Sequence, residues 1–346
     1  MIARRLRLLL IATGCLLAAG CLSPLPSLNH PRGLPRIALS DTPFYPQTQY
    51  HCGPAALATA LGAEGELISP EALSEQLFVP DLQGSLQVEM LAASRRQGFI
   101  PVLLQPELQS LIDTLSAGKT VLVLQNLATP GHPLWHYAVI VGYEFDRNTL
   151  VLRSGVEREK VVGLRQFTRS WNWADRWAMI LLRPGETIDS INQQNYYIAL
   201  AELEQTQFKE LAYQAYSSAI EHWPQSEFLW TGLGNTAYQL GLMAQAEQAF
   251  TRVIRLNPGS IVAGNNLANL YLENNCPLQA KQQIERTLSH TRPSHSLYNA
   301  VQQSAMEINA ALSAAESIEY LPADENASIT QDSCQKYSVA EPPSIQ

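Results

Sequence analysis

Hydrophobic positions in residues 41–186 follow a helical period first and then patterns typical of strands. Ser69 before Pro70 predicts the start of one helix, because serine caps a helix and proline fits its first turn. Further helices are predicted after Gly53 and over residues 88–97 and 107–115. The runs TVLVLQNL, HYAVIVGYEF, TLVLRS and RWAMILL predict strands, and DRN predicts a hairpin turn between the second and third. We therefore expect an α+β domain in which helices precede an antiparallel sheet.

Residues 193–294 carry a pattern that recurs about every 34 residues. The recurring positions are Pro224 and Pro258, then Ala212, Ala246 and Ala280, then Tyr216, Phe250 and Ile284. A small alanine lets two helices cross closely, and a proline ends the second helix. This period and these residue types are similar to tetratricopeptide repeats. We expect three such repeats stacked into an all-α solenoid, with an unrelated helical bundle as the alternative.

The N-terminal residues 1–20 have the composition of a lipoprotein signal peptide. Arginines near the start precede an apolar stretch and then small residues before Cys21. The ending LAAGC resembles a bacterial lipobox, which implies cleavage before Cys21 and acylation of that residue. Cleavage by an ordinary signal peptidase is the alternative. Because no acidic residue follows Cys21 directly, the resemblance implies an outer-membrane anchor that faces the periplasm.

Two further segments lack the periodicity of a folded domain. Residues 21–40 are rich in proline, which suits a tether between the lipid and the first domain. Residues 314–346 are polar and acidic, and this composition predicts a disordered tail.

Charge and motif content narrow the functional classes. The formal net charge of the full chain is −8. Loss of residues 1–20 would remove three arginines and no acidic residue, which makes it −11. Basic residues form no cluster, so we do not expect a nucleic-acid partner. Metal-binding spacing, a phosphate loop and a dinucleotide fingerprint are also lacking, so we expect no cofactor.

The five cysteines differ in their expected roles. Cys15 would leave with the signal peptide, and Cys21 would carry lipid. Three cysteines then remain in an oxidising compartment, where disulfides form readily. Cys276 and Cys334 can pair with each other, which would leave Cys52 as a free thiol.

Cys52 stands directly before Gly53, Pro54 and the apolar run AALATAL, at or beside the start of a predicted helix. A helix N-terminus carries partial positive charge and unpaired N–H groups, and both favour a thiolate over a thiol. A small buried cysteine in a core is the alternative interpretation.

A thiol nucleophile needs a base within hydrogen-bond reach, and the domain offers His132 and His136 after Cys52. His136 begins the strand HYAVIVGY, where a side chain is held rigidly and can still face a cleft. His132 lies in the loop TPGHPLW and would be held less firmly. A purely structural role is open for either histidine.

The two segments QTQYHCGPAALATAL and WHYAVIVGY together resemble the C39 peptidase family of papain-like cysteine peptidases. The whole arrangement, from signal to repeats, is similar to bacterial C39-like lipoproteins with C-terminal tetratricopeptide repeats. The resemblance implies that Cys52 is the nucleophile and His136 the general base and acid. It also implies that Gln47 donates to the oxyanion together with the backbone N–H of Cys52, with Gln49 as a second candidate for this role.

The third catalytic position departs from the family pattern. C39 enzymes usually carry an Asp-Pro after the strand that follows the histidine, whereas this chain has Arg153, Ser154 and Gly155. Ser154 is the candidate to orient His136 by a hydrogen bond, but it cannot stabilise an imidazolium as a carboxylate does. Loss of this charge costs a serine peptidase about 10⁴ in rate.

The sequence therefore predicts a lipid-anchored envelope cysteine peptidase that acts through a thioester on Cys52. The repeats would bind a protein partner or the peptide substrate. One alternative is an inactive C39-like scaffold whose repeats bind protein in an envelope complex. Another is acyl transfer or deamidation, because the same Cys–His pair can perform either reaction.

Overall fold

The structure is a computed structural model that describes residues 28–29, 35–47, 51–77 and 84–319, with side chains as far as residue 314. Residues 1–27, Cys334 and the rest of the C-terminal tail lie outside the described residues. The predicted signal peptide and lipid attachment at Cys21 therefore stay predictions. None of the described helices is both long and apolar enough to cross a membrane.

The N-terminal part of the described chain is an α+β domain, as the sequence predicts. Its helices are α1 (Cys52–Ala63), α2 (Pro70–Leu77), α3 (Gln87–Arg96), α4 (Leu108–Ser116) and α5 (Leu164–Asn172). Its strands are β1 (Arg36–Ala38), β2 (Ile100–Leu103), β3 (Val121–Asn126), β4 (Trp135–Glu144), β5 (Thr149–Ser154), β6 (Glu157–Gly163) and β7 (Ala178–Leu182). Among the described residues the strands form one sheet in the order β2-β7-β3-β4-β5-β6, and β1 also pairs with β4. Every one of these pairs is antiparallel, which confirms the expected sheet type.

Successive side chains of β4 point to opposite sides of the sheet. Because they are apolar on both sides, helices cover both faces of the sheet. On one face, Val139 and Val141 pack with Leu57 and Leu61 of α1. On the other face, Ala138 and Ile140 belong to the core that contains residues of α4 and α5. The sheet is thus a central layer between two helical layers, with a buried core on each side.

Strands β2 and β6 and helix α5 were missed by the sequence pattern. β6 carries the charged sequence EREKVVG and is mostly exposed, because within the described part of the chain it pairs only with β5 at one edge of the sheet. β2 lies at the other end of the strand order and contains Pro101, which a central strand would not tolerate. Edge strands often carry charge or proline, so their apolar signal is weak.

The ends of two segments that the sequence predicts to be unstructured, the tether and the tail, also differ from the prediction. β1 pairs with β4 from Arg36 to Ala38, so ordered structure begins before the expected end of the tether at residue 40. The last helix continues to Glu319, beyond the expected start of the disordered tail at residue 314.

The C-terminal region is all-α, in agreement with the predicted class. Its helices are α6 (Gln193–Glu204), α7 (Lys209–His222), α8 (Glu227–Gln239), α9 (Met243–Leu256), α10 (Ile261–Glu273), α11 (Pro277–His290) and α12 (Tyr298–Glu319). Close helix packing depends on glycine in α8. A Cβ at Gly232 would lie 2.2 Å from the ring of Tyr216, and one at Gly234 would lie 2.5 Å from the ring of Phe250. Tyr216 and Phe250 are 34 positions apart, which is the period of the sequence pattern. Two residues of that pattern therefore both pack against glycines of α8.

The two regions share a continuous hydrophobic core. Tyr196 and Leu200 of α6 pack in the same cluster as Ile100 of β2 and Ile180 of β7. The Asn195 side chain donates a hydrogen bond of 2.7 Å to the Leu103 carbonyl, and Arg95 of α3 pairs with Glu202 of α6. Helix α6 therefore covers the β2 end of the sheet and joins the helical region to it.

Candidate active site

Cys52 is the first residue of α1 and is partly buried beside Tyr137 of β4. Burial raises the pKa of the Cys52 thiol, while the backbone hydrogen bonds of Tyr137, Gly53 and Cys52 itself lower it only in part. The expected helix N-terminal donors are therefore present, but loss of solvation has the larger effect. In this state Cys52 is a neutral thiol at physiological pH, contrary to the sequence expectation of a favoured thiolate.

The glycine after Cys52 is required by close packing. A Cβ at Gly53 would lie 2.4 Å from the Oγ of Ser85, in the segment just before α3. The Ser85 hydroxyl is buried with no hydrogen-bond partner among the described residues. The Ser85 carbonyl accepts a hydrogen bond of 3.2 Å from the Tyr137 hydroxyl, which joins this segment to β4 next to His136.

His136 is the second residue of β4, opposite Gln125 of β3, and only 8% of its surface is exposed. Burial, with a smaller contribution from the positive charge of Lys160, lowers the pKa of His136 to about 4. The imidazole is therefore neutral at physiological pH and can accept a proton. The rigid position at a strand start agrees with the reasoning that favoured His136 as the base.

Ser154 ends β5, and its Oγ lies 2.8 Å from Nε2 of His136. Both side chains are buried, and neither the direction of the bond nor the tautomer is fixed by the heavy atoms. If Nε2–H donates to Ser154, the lone pair on Nδ1 is left to accept a proton. The serine that the sequence analysis named as the candidate orienter thus contacts the histidine directly.

Gln47 lies in the depression that contains Cys52. Its backbone N–H donates a hydrogen bond of 3.0 Å to the carbonyl of Gly155. The depression is lined by residues of three segments: Phe44, Tyr45, Gln47, Cys52, Ala55, Ala56, Thr59, Tyr137, Arg153, Ser154 and Gly155. Gln49, the second oxyanion candidate, lies outside the described residues.

The other predicted base, His132, lies in the exposed loop between β3 and β4. Its backbone forms a short bridge with Thr129 across this loop. It does not line the depression that contains Cys52. The structure therefore brings Gln47, Ser154 and Cys52 together around one depression, joins His136 to Ser154, and leaves His132 apart.

Sequence reasoning assigned no role to Arg153, although it stands beside Ser154 and lines the same depression. Its side chain is almost completely buried, and it donates hydrogen bonds to the carbonyls of Thr42 and Ser40, which are far away in the sequence. A charged residue within an apolar strand was the only available signal, and it does not say which carbonyls the guanidinium contacts.

Cys52 is a free thiol, whereas Cys276 is disulfide-bonded. The predicted partner Cys334 lies outside the described residues. Within those residues, no group of three or more side chains is arranged to hold a metal ion.

The Peptidase_C39 like family model matches residues 39–179 of this chain. This range runs from just before the Cys52 helix into β7, so it includes almost the whole sheet and the entire candidate site. The α+β domain is therefore similar to the C39-like peptidases in this part of the chain.

Three solved structures resemble parts of the chain. The peptidase domain of Streptococcus ComA, a bifunctional ABC transporter in quorum sensing, is 19% identical over 41% of this chain and 98% of its own, with a TM-score of 0.34. A putative C39-like peptidase from Bacillus anthracis is 15% identical over 43% of this chain and 98% of its own, with a TM-score of 0.35. The TPR2B domain of yeast Sti1, in a pHsp70 complex, is 12% identical over 34% of this chain and 96% of its own, with a TM-score of 0.33. No curated protein matches the chain.

Proposed function

We propose that the C39-like domain is a cysteine peptidase in which Cys52 attacks a peptide carbonyl and His136 carries the proton. The observation that supports it most directly is the 2.8 Å contact between His136 and Ser154. This contact holds a neutral imidazole at the start of β4, next to Tyr137, whose backbone is hydrogen-bonded to the Cys52 thiol. A base oriented by a third side chain is the arrangement that activates a thiol nucleophile.

In the proposed reaction, His136 takes the Cys52 proton as sulfur bonds to the carbonyl carbon. The carbonyl oxygen becomes an oxyanion, which accepts hydrogen bonds from the Gln47 side chain and the Cys52 backbone N–H. The C–N bond then breaks, and the imidazolium gives its proton to the leaving amine. Water attacks the resulting thioester with His136 again as base, and Cys52 leaves as the thiol.

In the resting state Cys52 and His136 do not form a thiolate–imidazolium ion pair, because burial favours the neutral form of both side chains. The pKa of Cys52 is raised, and that of His136 is lowered to about 4. Ser154 can orient the imidazole but cannot offset its charge when it becomes imidazolium. We therefore propose a slow peptidase in which His136 removes the thiol proton during attack instead of beforehand.

The test uses p-nitrophenyl acetate, a small ester that requires no peptide specificity. Cys52 should displace p-nitrophenolate and become acetylated, which absorbance and protein mass both report. We expect His136→Ala to lower the acylation rate by about 10²–10⁴, the usual range for a general base. Cys52→Ala should remove the acetylated species entirely.

His132→Ala is the matched control, because His132 is an exposed histidine in the loop next to His136. It should leave the acylation rate unchanged. If the wild type acylates no faster than Cys52→Ala, the peptidase proposal is wrong. That result would favour the second candidate, an inactive scaffold, which the missing carboxylate beside His136 also supports.

We further propose that the helical region binds a protein partner or the substrate itself. Phe228 and Val262 support this, because both are exposed large apolar residues at the second position of α8 and α10. Tyr197 extends the row, with its ring centroid 5.2 Å from that of Phe228. Apolar side chains in register on neighbouring helices suit contact with an extended polypeptide.

We also propose that acylated Cys21 anchors the protein to the periplasmic face of the envelope, in the outer membrane. Mass spectrometry of the mature protein from bacterial membranes should find an N-terminal Cys21 that carries acyl chains. A mature N-terminus at another residue, without lipid, would contradict this proposal. In that case the signal would be an ordinary secretory one.

A further inference from the structure

Arg153 is an unusual residue for its place in the fold. It belongs to β5, next to Leu152, and only 4% of its surface is exposed. None of the ion pairs among the described residues includes it. Burial accordingly lowers the pKa of its guanidinium from the usual value. A buried charge that forms no direct ion pair is destabilising unless its hydrogen bonds are satisfied.

The guanidinium is satisfied by backbone carbonyls instead. Nη2 donates to the carbonyls of Ser40 at 3.2 Å and Thr42 at 3.3 Å, and Nε donates to Thr42 at 3.4 Å. Nη1 donates to the carbonyl of Arg158 at 2.5 Å, across the β5–β6 hairpin. One side chain thus joins the end of the sheet to a segment more than a hundred positions earlier in the chain.

This segment, residues 39–47, is here called the N-terminal strap. At its start the Leu39 N–H donates to the Val141 carbonyl at 2.8 Å. Further on, Pro43 packs so closely on α1 that a Cβ at Gly62 would lie 2.4 Å from its Cγ. At its end stands Gln47, the candidate oxyanion donor. The strap therefore leads from β4, over α1, to the depression beside Cys52.

Three consecutive residues, the last two of β5 and Gly155 directly after it, contact the strap, His136 and Gln47. Arg153 binds the strap at Ser40 and Thr42. Ser154 binds the imidazole of His136. The Gly155 carbonyl accepts the backbone N–H of Gln47. Arg153, Ser154 and Gly155 all line the depression that contains Cys52.

We propose that Arg153 is a positioning residue for the oxyanion site, which acts by fixing the N-terminal strap so that Gln47 stays beside Cys52. This role rests on the proposed peptidase function. The planar guanidinium suits it because it donates in several fixed directions at once, which a lysine ammonium does not. Side chains of Arg153 and Gln47 both line the depression, but only Gln47 would contact the reacting carbonyl oxygen.

The test compares two reactions of Cys52 that differ in their need for an oxyanion donor. Acylation by p-nitrophenyl acetate passes through a tetrahedral oxyanion. Alkylation by iodoacetamide forms the S–C bond with loss of iodide and creates no oxyanion. A residue that positions Gln47 should therefore affect the first rate much more than the second.

We expect Arg153→Lys to lower the acylation rate at least about tenfold, while alkylation changes by less than about twofold. The scale follows from the 10²–10³ that one oxyanion donor contributes to rate. Gln47→Ala should have the same selective effect. In the double variant the two effects should not add, because Arg153 acts through Gln47. Arg158→Lys, an exposed arginine on the neighbouring strand, is the control and should change neither rate.

Hydrogen exchange supplies the structural readout. Amides of residues 39–47 should exchange faster in Arg153→Lys and remain protected in Gln47→Ala. Arg153→Gln, which removes the buried charge and keeps a donor, serves as the second variant if Arg153→Lys does not fold. Equal losses in both reactions, or additive effects in the double variant, would overturn the role of Arg153. Wild-type protein that is not acylated would instead overturn the peptidase function, and the role of Arg153 with it.

Discussion

Replacing Ser154 by Asp is expected to raise the pKa of His136 and to accelerate acylation of Cys52. The Ser154 hydroxyl lies 2.8 Å from Nε2, so a carboxylate at this position would be close enough to pair with the imidazolium. An opposite charge at this range typically raises the pKa of a histidine by about 1–3 units. Burial strengthens the effect, because water screens the pair poorly there.

The expected gain in acylation rate is about tenfold to a hundredfold. It is smaller than the roughly 10⁴ lost when a serine peptidase loses its orienting charge, because the surrounding site has not been shaped for a carboxylate. The measurement is acylation by p-nitrophenyl acetate as a function of pH. In the wild type the rate should fall in acid with the pKa of His136, at about 4. In Ser154→Asp this fall should occur at higher pH.

Ser154→Asn is the matched control, since asparagine has the shape of aspartate without its charge. In Ser154→Asn the acylation rate should fall in acid at nearly the same pH as in the wild type. If Asp and Asn give the same pH profile, the charge at this position does not control His136. The mechanism proposed for the neutral pair would then be wrong.

The second expected result concerns stability in acid. Because burial lowers the pKa of His136 to about 4, the folded protein binds fewer protons at this site than the unfolded chain does between pH 4 and 6.5. The contribution of His136 to stability is therefore complete above the unfolded pKa and is lost as the pH falls towards about 4. The loss amounts to about 3 kcal/mol, since one pKa unit corresponds to about 1.4 kcal/mol.

Urea unfolding of the wild type and His136→Gln at neutral pH and near pH 4 isolates this loss, because the other titrating groups are common to both proteins. The variant should lose about 3 kcal/mol less than the wild type on acidification. His132→Gln, which changes an exposed histidine of the adjacent loop, should behave as the wild type does. Equal acid sensitivity of the wild type and His136→Gln would show that His136 is not held in the neutral form by the fold.

The main features of the fold follow from local sequence patterns. β3, β4, β5 and β7 are almost entirely buried, so their continuous apolar runs identify them without tertiary information. The hairpin turn at DRN is also local, because Asn148 tolerates its positive φ of 50°. The edge strand β6 was missed since its exposure removes the need for an apolar pattern, whereas β2 is a short buried run that Pro101 interrupts. Their place in the sheet is decided by neighbours distant in sequence.

In the candidate site, too, some features follow from the sequence and others depend on the tertiary structure. The segment around Cys52 and the histidine at the start of β4 are recognisable from residue type and spacing. The sequence also identifies Ser154 as the residue in place of the usual carboxylate. It cannot supply the 2.8 Å contact with His136, because this contact depends on how β4 and β5 pair.

The prediction that the helix N-terminus favours a thiolate at Cys52 was wrong. The sequence placed Cys52 at a helix N-terminus, and the helix donors do lower its pKa. The sequence alone could not show that burial outweighs them, or that the same burial keeps His136 neutral. Solvation depends on every segment packed around a group, whereas a helix start depends on a few adjacent residues. For the same reason only the tertiary structure reveals Arg153, whose partners on the N-terminal strap are more than a hundred residues away.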